Sequence, residues 1–570
     1  MSDKKVLLIH PPFCMPDKPY ISTAVLYSYL AKQGIDVSVF DLNIEFYREY
    51  LSLANIGKAI DFIDKRFKDL DNNPALETLE IQEHLKLKAL KSSMTGNPPP
   101  FHLLFKNGAL RNSEQFILFG MGLNIVNTLY YPESLEFLIT TGYIRYKSNG
   151  NKFSSHDIID SIKKPSLYSF VIEKILSAYF TDKNPDIVGI SVSFPDQVLP
   201  AFYAASVIKK IRPKTHICFG GTFVSSHLRD ISNINLFDHV DTFILDEGEN
   251  PLLELINCLN ESRSFDHIPG LIYRCGSKIC KNEPGNTSLN KLLPQPDYLS
   301  VDLDKYLVNT DSMALLFRLS QGCYWHKCSF CRTELSFVKN HVRAELNEIT
   351  PWIIRLVQQT PVRILHFTDD AADPDLLSEL SLFLLEKNIS ISWVTNMRFD
   401  SRITLEKLDL YKRAGCRAIY FGLESCNDRI LKKMKKGISM KFVEKTLKNC
   451  AESAIPVNLY MIVGFPTETE EEALESFSIV YEWKKKGLAQ QVIYNIFEIS
   501  GWSDISSNLQ DYGITEAFHS PSLDLHPPVT DFKCSGMERS KAELFCFDFI
   551  TKLGKVSSYT KKGVMDLLCT

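Results

Sequence analysis

Cys323, Cys328 and Cys331 fall within one short run, Leu-Ser-Gln-Gly-Cys-Tyr-Trp-His-Lys-Cys-Ser-Phe-Cys, directly after the apolar stretch 315–319. Three thiolates this close, on a loop at a strand end, can hold three corners of a metal cluster and leave a fourth position open for a small molecule. The competing reading is structural zinc, which closes with four protein ligands. His326 is the candidate fourth ligand, but it sits in the same short loop, two residues before Cys328, where wrapping four donors around one ion is sterically awkward. No second Cys-x-x-Cys pair completes a zinc ribbon, so the spacing fits an iron–sulfur cluster with an open iron better, and zinc stays as the alternative. The remaining cysteines are scattered. Cys14, Cys218, Cys258 and Cys416 read as small buried hydrophobes, and Cys275 and Cys280 flank a hairpin turn at Gly276-Ser277.

The elements that must position the triplet form an alternating series. Apolar strands are expected near 315–320, 362–368, 390–395, 417–422, 456–463 and 490–498, with helical periodicity over 346–358, 374–387, 403–414, 438–453 and 468–485. Six such units predict a partial (β/α)6 barrel of the TIM type over 310–514, with functional groups at its carboxyl-terminal rim. A C-terminal extension, 515–570, follows with a helix expected at 537–553.

Upstream, residues 6–9, 21–33 and 37–42 read as strand, helix, strand. The rhythm breaks over about 43–184, a mainly helical insertion with a polar break at Gly96-Asn97-Pro98-Pro99-Pro100, and its aromatics Phe101, Phe105, Phe116, Tyr130 and Tyr131 are expected in a core. It resumes with strands at 186–194, 216–219 and 242–245 and helices at 198–211 and 250–259. The fold class is therefore α/β: a doubly wound, Rossmann-like parallel sheet over 1–264 with the insertion, a linker at 265–309, then the barrel. Ligands of such sheets bind beyond the strand carboxyl ends, here marked by Pro-Pro, Ser-Val-Ser-Phe, Gly-Gly-Thr and Glu-Gly-Glu, where small residues let a large flat ligand approach the backbone.

Bulk properties bound the rest. The chain has 570 residues, enough for two to four domains, with 45% hydrophobic residues for ordinary cores. A net charge of −4 suggests no nucleic-acid or anionic-membrane footprint. No apolar run approaches the ~20 residues that span a bilayer, and the polar start is no secretory signal, so a cytoplasmic location is expected.

The triplet, its place after the first barrel strand and Phe330 just before the last cysteine resemble the radical S-adenosylmethionine (radical SAM) superfamily. The usual spacing there is Cys-x3-Cys-x2-Cys; the four-residue first gap here resembles members that carry an amino-terminal cobalamin-binding domain. The resemblance implies a 4Fe-4S cluster on Cys323, Cys328 and Cys331, and SAM bound at its open iron. His366-Phe367-Thr368-Asp369-Asp370 matches the segment whose backbone holds the methionyl amino group, which singles out Thr368, Asp369 and Asp370. Gly422-Leu423-Glu424-Ser425, with Lys436-Gly437 downstream, resembles the fourth-strand motif and implicates Glu424 and Ser425 in nucleoside contacts. The run 460–469 resembles the fifth-strand motif, with Val463 packing on adenine, and Arg398 is a candidate partner for the SAM carboxylate.

In the amino-terminal half, Pro12, Ser191, Ser193, Gly220, Gly221, Thr222, Glu247 and Gly248 occupy positions that resemble the family's cobalamin-binding domain. The Asp-x-His-x-x-Gly motif that supplies a cobalt ligand is missing, so cobalamin is expected without a histidine lower ligand. The resemblance implies reductive cleavage of SAM to a 5′-deoxyadenosyl radical and methylation of an unactivated carbon of a peptide or natural product. Two readings compete: a radical SAM enzyme of non-methylating rearrangement or cyclisation, and a non-catalytic zinc-stabilised binding module. The implied partners are a small-molecule or peptide substrate and an external one-electron reductant of flavodoxin or ferredoxin type, with no nucleic acid and no membrane. Residues 497–503 and 511–514 faintly resemble maturases of ribosomally made peptides. No residue is assigned as a catalytic acid or base.

Overall fold

The computed structural model describes residues 4–93, 113–130, 137–140, 143–146, 150–164, 167–285, 294–520 and 522–556. Two largely parallel sheets dominate it. The first contains β1 (Val6–His10), β2 (Val37–Asp41), β5 (Ile187–Ser191), β6 (His216–Gly220), β7 (Thr242–Ile244), β8 (Leu271–Cys275) and β9 (Lys278–Lys281), ordered β2-β1-β5-β6-β7-β8-β9. The strand order reverses at β1, which pairs with β2 on one side and β5 on the other, making the crevice above them a topological switch point. All five residues of β1 are buried, as expected for a strand covered by helices on both faces.

Three details differ from the sequence reading. The strand expected over 186–194 ends at Ser191. There the Gln197 side-chain oxygen accepts the N–H groups of Ser193 and Phe194, at 2.8 and 3.0 Å, and diverts the backbone from the sheet. The hairpin-like linker expected over 265–309 does contain a hairpin, β8 with β9, but this hairpin joins the first sheet and extends it beyond β7. The insertion is largely helical, with helices such as Leu53–Asp71 and Thr78–Ser93, but it also carries the hairpin β3–β4 (Phe137–Thr140, Tyr143–Tyr146). The 96–100 break and the side chains of the five insertion aromatics lie outside the described residues.

The second sheet is the partial barrel. Its strands β10 (Ala314–Phe317), β13 (Ile364–Phe367), β14 (Ser392–Met397), β15 (Cys416–Glu424), β16 (Val457–Val463) and β17 (Gln491–Ile496) lie side by side in chain order, all parallel. A two-stranded ribbon, β11 (Ser320–Gln321) with β12 (Val342–Arg343), brackets the cysteine loop at its base. After the barrel, β18 (Ile514–Ala517) pairs with β19 (Phe532–Cys534), and helix Arg539–Val556 covers the last barrel strand. Phe549 on this helix stacks on Phe477 with ring centroids 4.2 Å apart, which gives the otherwise bare edge of β17 an apolar cover.

One buried hydrophobic cluster runs from Leu7 and Val188 in the first sheet through Leu315 and Phe367 in the barrel to Phe549 and Leu553 in the C-terminal helix. The two sheets are thus packed as one body, their strand carboxyl ends turned toward a common region. Among the described residues no helix is long and apolar enough to cross a membrane.

Candidate active site between the two sheets

The cysteine loop owes its shape to a few backbone requirements. Gly322 has φ +71°, and a Cβ there would lie 2.4 Å from the Asn340 carbonyl oxygen, so only glycine brings the chain into Cys323. Cys323 N–H then donates to the Val338 carbonyl at 3.1 Å. The long first gap is taken up by a left-handed turn at His326, φ +35°. The His326 Nδ1 lies 3.2 Å from the Cys323 carbonyl oxygen, so its N–H can donate back and close the turn. Ser329 N–H donates to the Met434 carbonyl at 3.0 Å, tying the far side of the loop to the segment after β15.

The three cysteines line one cavity of about 980 Å³ at the barrel's carboxyl-terminal rim. A hydrogen bond between the Cys328 and Cys331 sulfurs holds Cys328 down to about 7 against the opposing effect of burial, while Lys436 adds attraction; the Cys331 thiol is driven up by the same contact. A thiol poised to ionise beside a lysine is the chemistry of a metal ligand. Among the described residues no three His, Cys, Asp or Glu side chains converge as around a single ion. A closed zinc site needs four protein donors brought together, and among the described residues no such group converges. The donor set suits a cluster held at three corners.

Around the loop, the fourth-strand motif forms a buried ion pair. Glu424 (φ +74°, at a register shift in β15) meets Lys436 Nζ at 2.9 Å, with both side chains no more than 10% exposed. A Cβ on Gly422 would fall 2.7 Å from the Glu424 carboxylate and 2.9 Å from Lys436 Nζ, so the glycine leaves the space the pair occupies. Burial works to lower the Lys436 pKa, but Glu424 and the cysteines outweigh it and push it up to about 12. Arg398 donates to the Lys436 carbonyl at 2.6 Å, and its guanidinium lies 4.1 Å from the centre of the Trp325 ring. Gly437 (φ +69°) has no room for a Cβ, which would fall 2.1 Å from that same ring.

Phe330, Thr368, Asp369, Asp370, Arg398 and Glu424 all line the barrel cavity, together with the cysteines. Asp369 is nevertheless a brace: buried, it accepts from Leu319 N–H at 3.3 Å and Ser320 Oγ–H at 2.5 Å, and burial pushes it up to about 6 against these bonds. Ser425 and Val463 do not line the cavity. The Ser425 Oγ accepts the Asn427 N–H at 3.2 Å and lies beside Ser476, while Tyr460 and Ile462 form the apolar wall from β16. Side chains the sequence reading did not single out complete the lining: Asn396, Tyr420, Arg332 and Glu498, with Arg539 from the C-terminal helix. Period-two alternation from Arg398 and Glu424 along β14 and β15 was a usable signal for Asn396 and Tyr420; Arg539 had none.

A second cavity, about 380 Å³, lies at the carboxyl ends of β5, β6 and β7 and is lined by Ser191, Ser193, Gly220, Gly221, Thr222, Glu247 and Gly248. It continues as a slot between the sheet face, at Leu8, Gly189 and Cys218, and the helices bearing Leu26 and Leu252. A flat ligand with an apolar extension fits this shape: the strand tips are small, and a Cβ at Gly220 would find only the Ile244 carbonyl, 3.8 Å away. Gly221 (φ +108°) is required for a different reason, since a Cβ would sit 2.6 Å from the Val192 carbonyl oxygen. Pro12 is buried but lies outside the lining. Arg318, with an unpartnered buried Nε, Ser320 and Gln321 reach into this cavity from the barrel. Thr222, Phe337, Val338, Thr368 and Asp370 line both cavities, so the two are neighbours across one wall.

Comparison with known proteins agrees with this geometry. The radical SAM superfamily profile matches residues 317–479. Its two-sheet fold has counterparts among solved structures. The methyltransferase TsrM from Kitasatospora setae, solved with cobalamin and a [4Fe-4S] cluster bound, superposes with a TM-score of 0.59 at 13% identity over 97% of this chain and 89% of that one. An uncharacterized methyltransferase from Pyrococcus horikoshii is 27% identical over 323 residues, 56% of this chain and 68% of that protein. An anaerobic magnesium-protoporphyrin IX monomethyl ester cyclase from Synechocystis is 25% identical over 290 residues, and the match spans half of this chain and 56% of that protein.

Proposed function

We propose that this protein is a cobalamin-dependent radical SAM enzyme that methylates an unactivated carbon of a small-molecule or peptide substrate. The observation that carries the reading is the adjacency of the two cavities across the wall formed by Thr222, Phe337, Val338, Thr368 and Asp370. When bound, a [4Fe-4S] cluster with SAM supplies a hydrogen-abstracting radical, and cobalamin supplies a transferable methyl group.

The chain's own part is positioning and exclusion of water. Cys323, Cys328 and Cys331 would hold the cluster; Glu424, Arg398 and the backbone at Thr368 would orient SAM, with Tyr460 and Ile462 against its apolar part. Asp369 stiffens the link between the first barrel strand and the cysteine loop. Ser191, Ser193, Gly220, Gly221, Thr222, Glu247 and Gly248 would cradle the cobalamin. The C-terminal helix, through Arg539, closes the barrel's open side, where Arg539 donates to the Phe497 carbonyl at 3.0 Å. The proposal includes an external one-electron reductant and a cytoplasmic setting.

Anaerobic purification with iron and cobalt analysis, followed by mass detection of products, tests this. Iron and cobalt bound together, with 5′-deoxyadenosine and S-adenosylhomocysteine both formed, is the expected result. Deoxyadenosine without S-adenosylhomocysteine would overturn methylation and favour the rearrangement or cyclisation reading, to which the likeness to a named cyclase lends weight. One zinc ion and no turnover would overturn the radical reading altogether.

A further inference from the structure

Most charged side chains that line the barrel cavity are already matched. Glu424 holds Lys436 at 2.9 Å, and Arg398 donates to the Lys436 carbonyl. Asp369 braces Leu319 and Ser320, and His326 faces the Cys323 carbonyl. Arg539 pairs with Glu543 at 3.0 Å and donates to the Phe497 carbonyl. Asp370 lies on the wall toward the strand-end cavity. Arg332, next to Cys331, and Glu498, just beyond β17, are left over.

A guanidinium carries a fork of N–H donors. Among the described residues the only acceptor for the half-buried Arg332 side chain is the Ser226 hydroxyl at 2.7 Å, and no carboxylate pairs with it. Ser226 is itself held, its carbonyl accepting the Trp502 indole N–H at 2.9 Å. It lies one helical turn after Thr222, within the helix Thr222–His227, and Thr222 stands on the wall shared with the strand-end cavity. The Arg332 fork is thereby fixed near that wall. Glu498 is exposed, and among the described residues it accepts no hydrogen bond and forms no ion pair. The two charges do not meet but act on each other: burial pushes the Arg332 pKa down, and the Glu498 charge opposes it.

We infer that the substrate is a free α-amino acid, its carboxylate on the Arg332 fork and its ammonium group on Glu498. The inference deepens the methyltransferase reading proposed above and rests on it. A carboxylate matches a guanidinium fork with paired charge-assisted hydrogen bonds, and an ammonium group donates to a carboxylate in the same way. An α-amino acid carries both groups on one carbon, so two separated, opposite protein charges in one cavity suit it. Its side chain is then left free to be the part that reacts. The internal residues of a peptide have neither charge, because both groups are tied up in amide bonds.

The test uses the iron- and cobalamin-loaded protein with SAM and without reductant, so that binding is read apart from turnover. Anaerobic titration calorimetry screens the common L-amino acids. The tightest binder is then compared with its amide, which lacks the carboxylate, and with its deamino acid, which lacks the amine. Each analogue should bind the parent about tenfold more weakly or worse. Arg332→Gln should erase the preference for acid over amide and keep the preference for the amine; Glu498→Gln should do the converse. A purely bracing role for Arg332 would weaken all three ligands alike, and that result overturns its assignment. Should Arg332→Gln shed its iron, the amide and deamino comparisons in the parent still decide. If no amino acid binds a parent that holds iron and cobalt, or if the amide binds as tightly as the acid, this inference falls while the methyltransferase reading stands. A parent that carries no iron overturns the cluster reading, and this inference with it.

Discussion

Lys436 and Glu424 illustrate how a few side chains carry a cost that only their pairing offsets. Each would be strongly disfavoured if buried alone, and each has the other at 2.9 Å. Lys436→Met leaves Glu424 unpaired beside Gly422 and is expected to lower unfolding stability by about 3–5 kcal/mol, measured by denaturant titration of the metal-free protein. Glu424→Gln together with Lys436→Met should recover much of that loss. A single variant as stable as the parent would mean that water reaches the pair.

At the scale of elements, the loop after β16 is built around another buried carboxyl. Glu468 is 1% exposed and accepts the Gly464 N–H at 2.7 Å, while Met537 N–H donates to its backbone carbonyl. Gly536 packs so closely here that a Cβ would fall 2.7 Å from the Thr467 nitrogen and the Glu468 oxygen. Burial pushes the Glu468 side chain up to about 7 from its ordinary 4.5. Because the folded-state value is raised, this group's contribution is fully present below pH 4.5 and is lost as pH rises through 7. Glu468→Gln keeps an acceptor for Gly464 and never ionises. It should therefore flatten the stability profile across that window and exceed the parent at pH 8 by something on the order of 3 kcal/mol. Parallel profiles for the two proteins, measured by chemical denaturation across the pH range, would refute this.

At the scale of the whole molecule, the two sheets present separate cavities that share one wall. Their separateness is testable at Gly220, whose backbone needs no positive φ and whose missing Cβ would make only an ordinary contact with the Ile244 carbonyl, 3.8 Å away. Gly220→Trp should fill the strand-end cavity without straining the chain. Cobalt retained after anaerobic reconstitution should fall about tenfold or more, equivalent to at least ~1.4 kcal/mol of binding, while iron content stays at the parent level. Loss of both metals together would indicate that the wall couples the two sites.

Much of this protein was determined by local sequence. The cysteine spacing, the alternation of apolar strands with amphipathic helices and the glycines at strand tips depend on neighbours within one turn or one strand, so they are legible without a fold. The cysteine loop, the six parallel barrel strands and most of the strand-end residues of the first sheet belong to that class. The tertiary structure decided which side chains meet. Val463 lies one residue out of phase with Tyr460 and Ile462, and a single step along a strand turns a side chain to the opposite face. Glu424 keeps the phase of Tyr420 and Gly422, so Ser425, one step on, turns away from the cavity and lies against Ser476. Arg332 and Arg539 reach the cavity only because segments some two hundred residues apart pack together there, and no local pattern encodes that convergence.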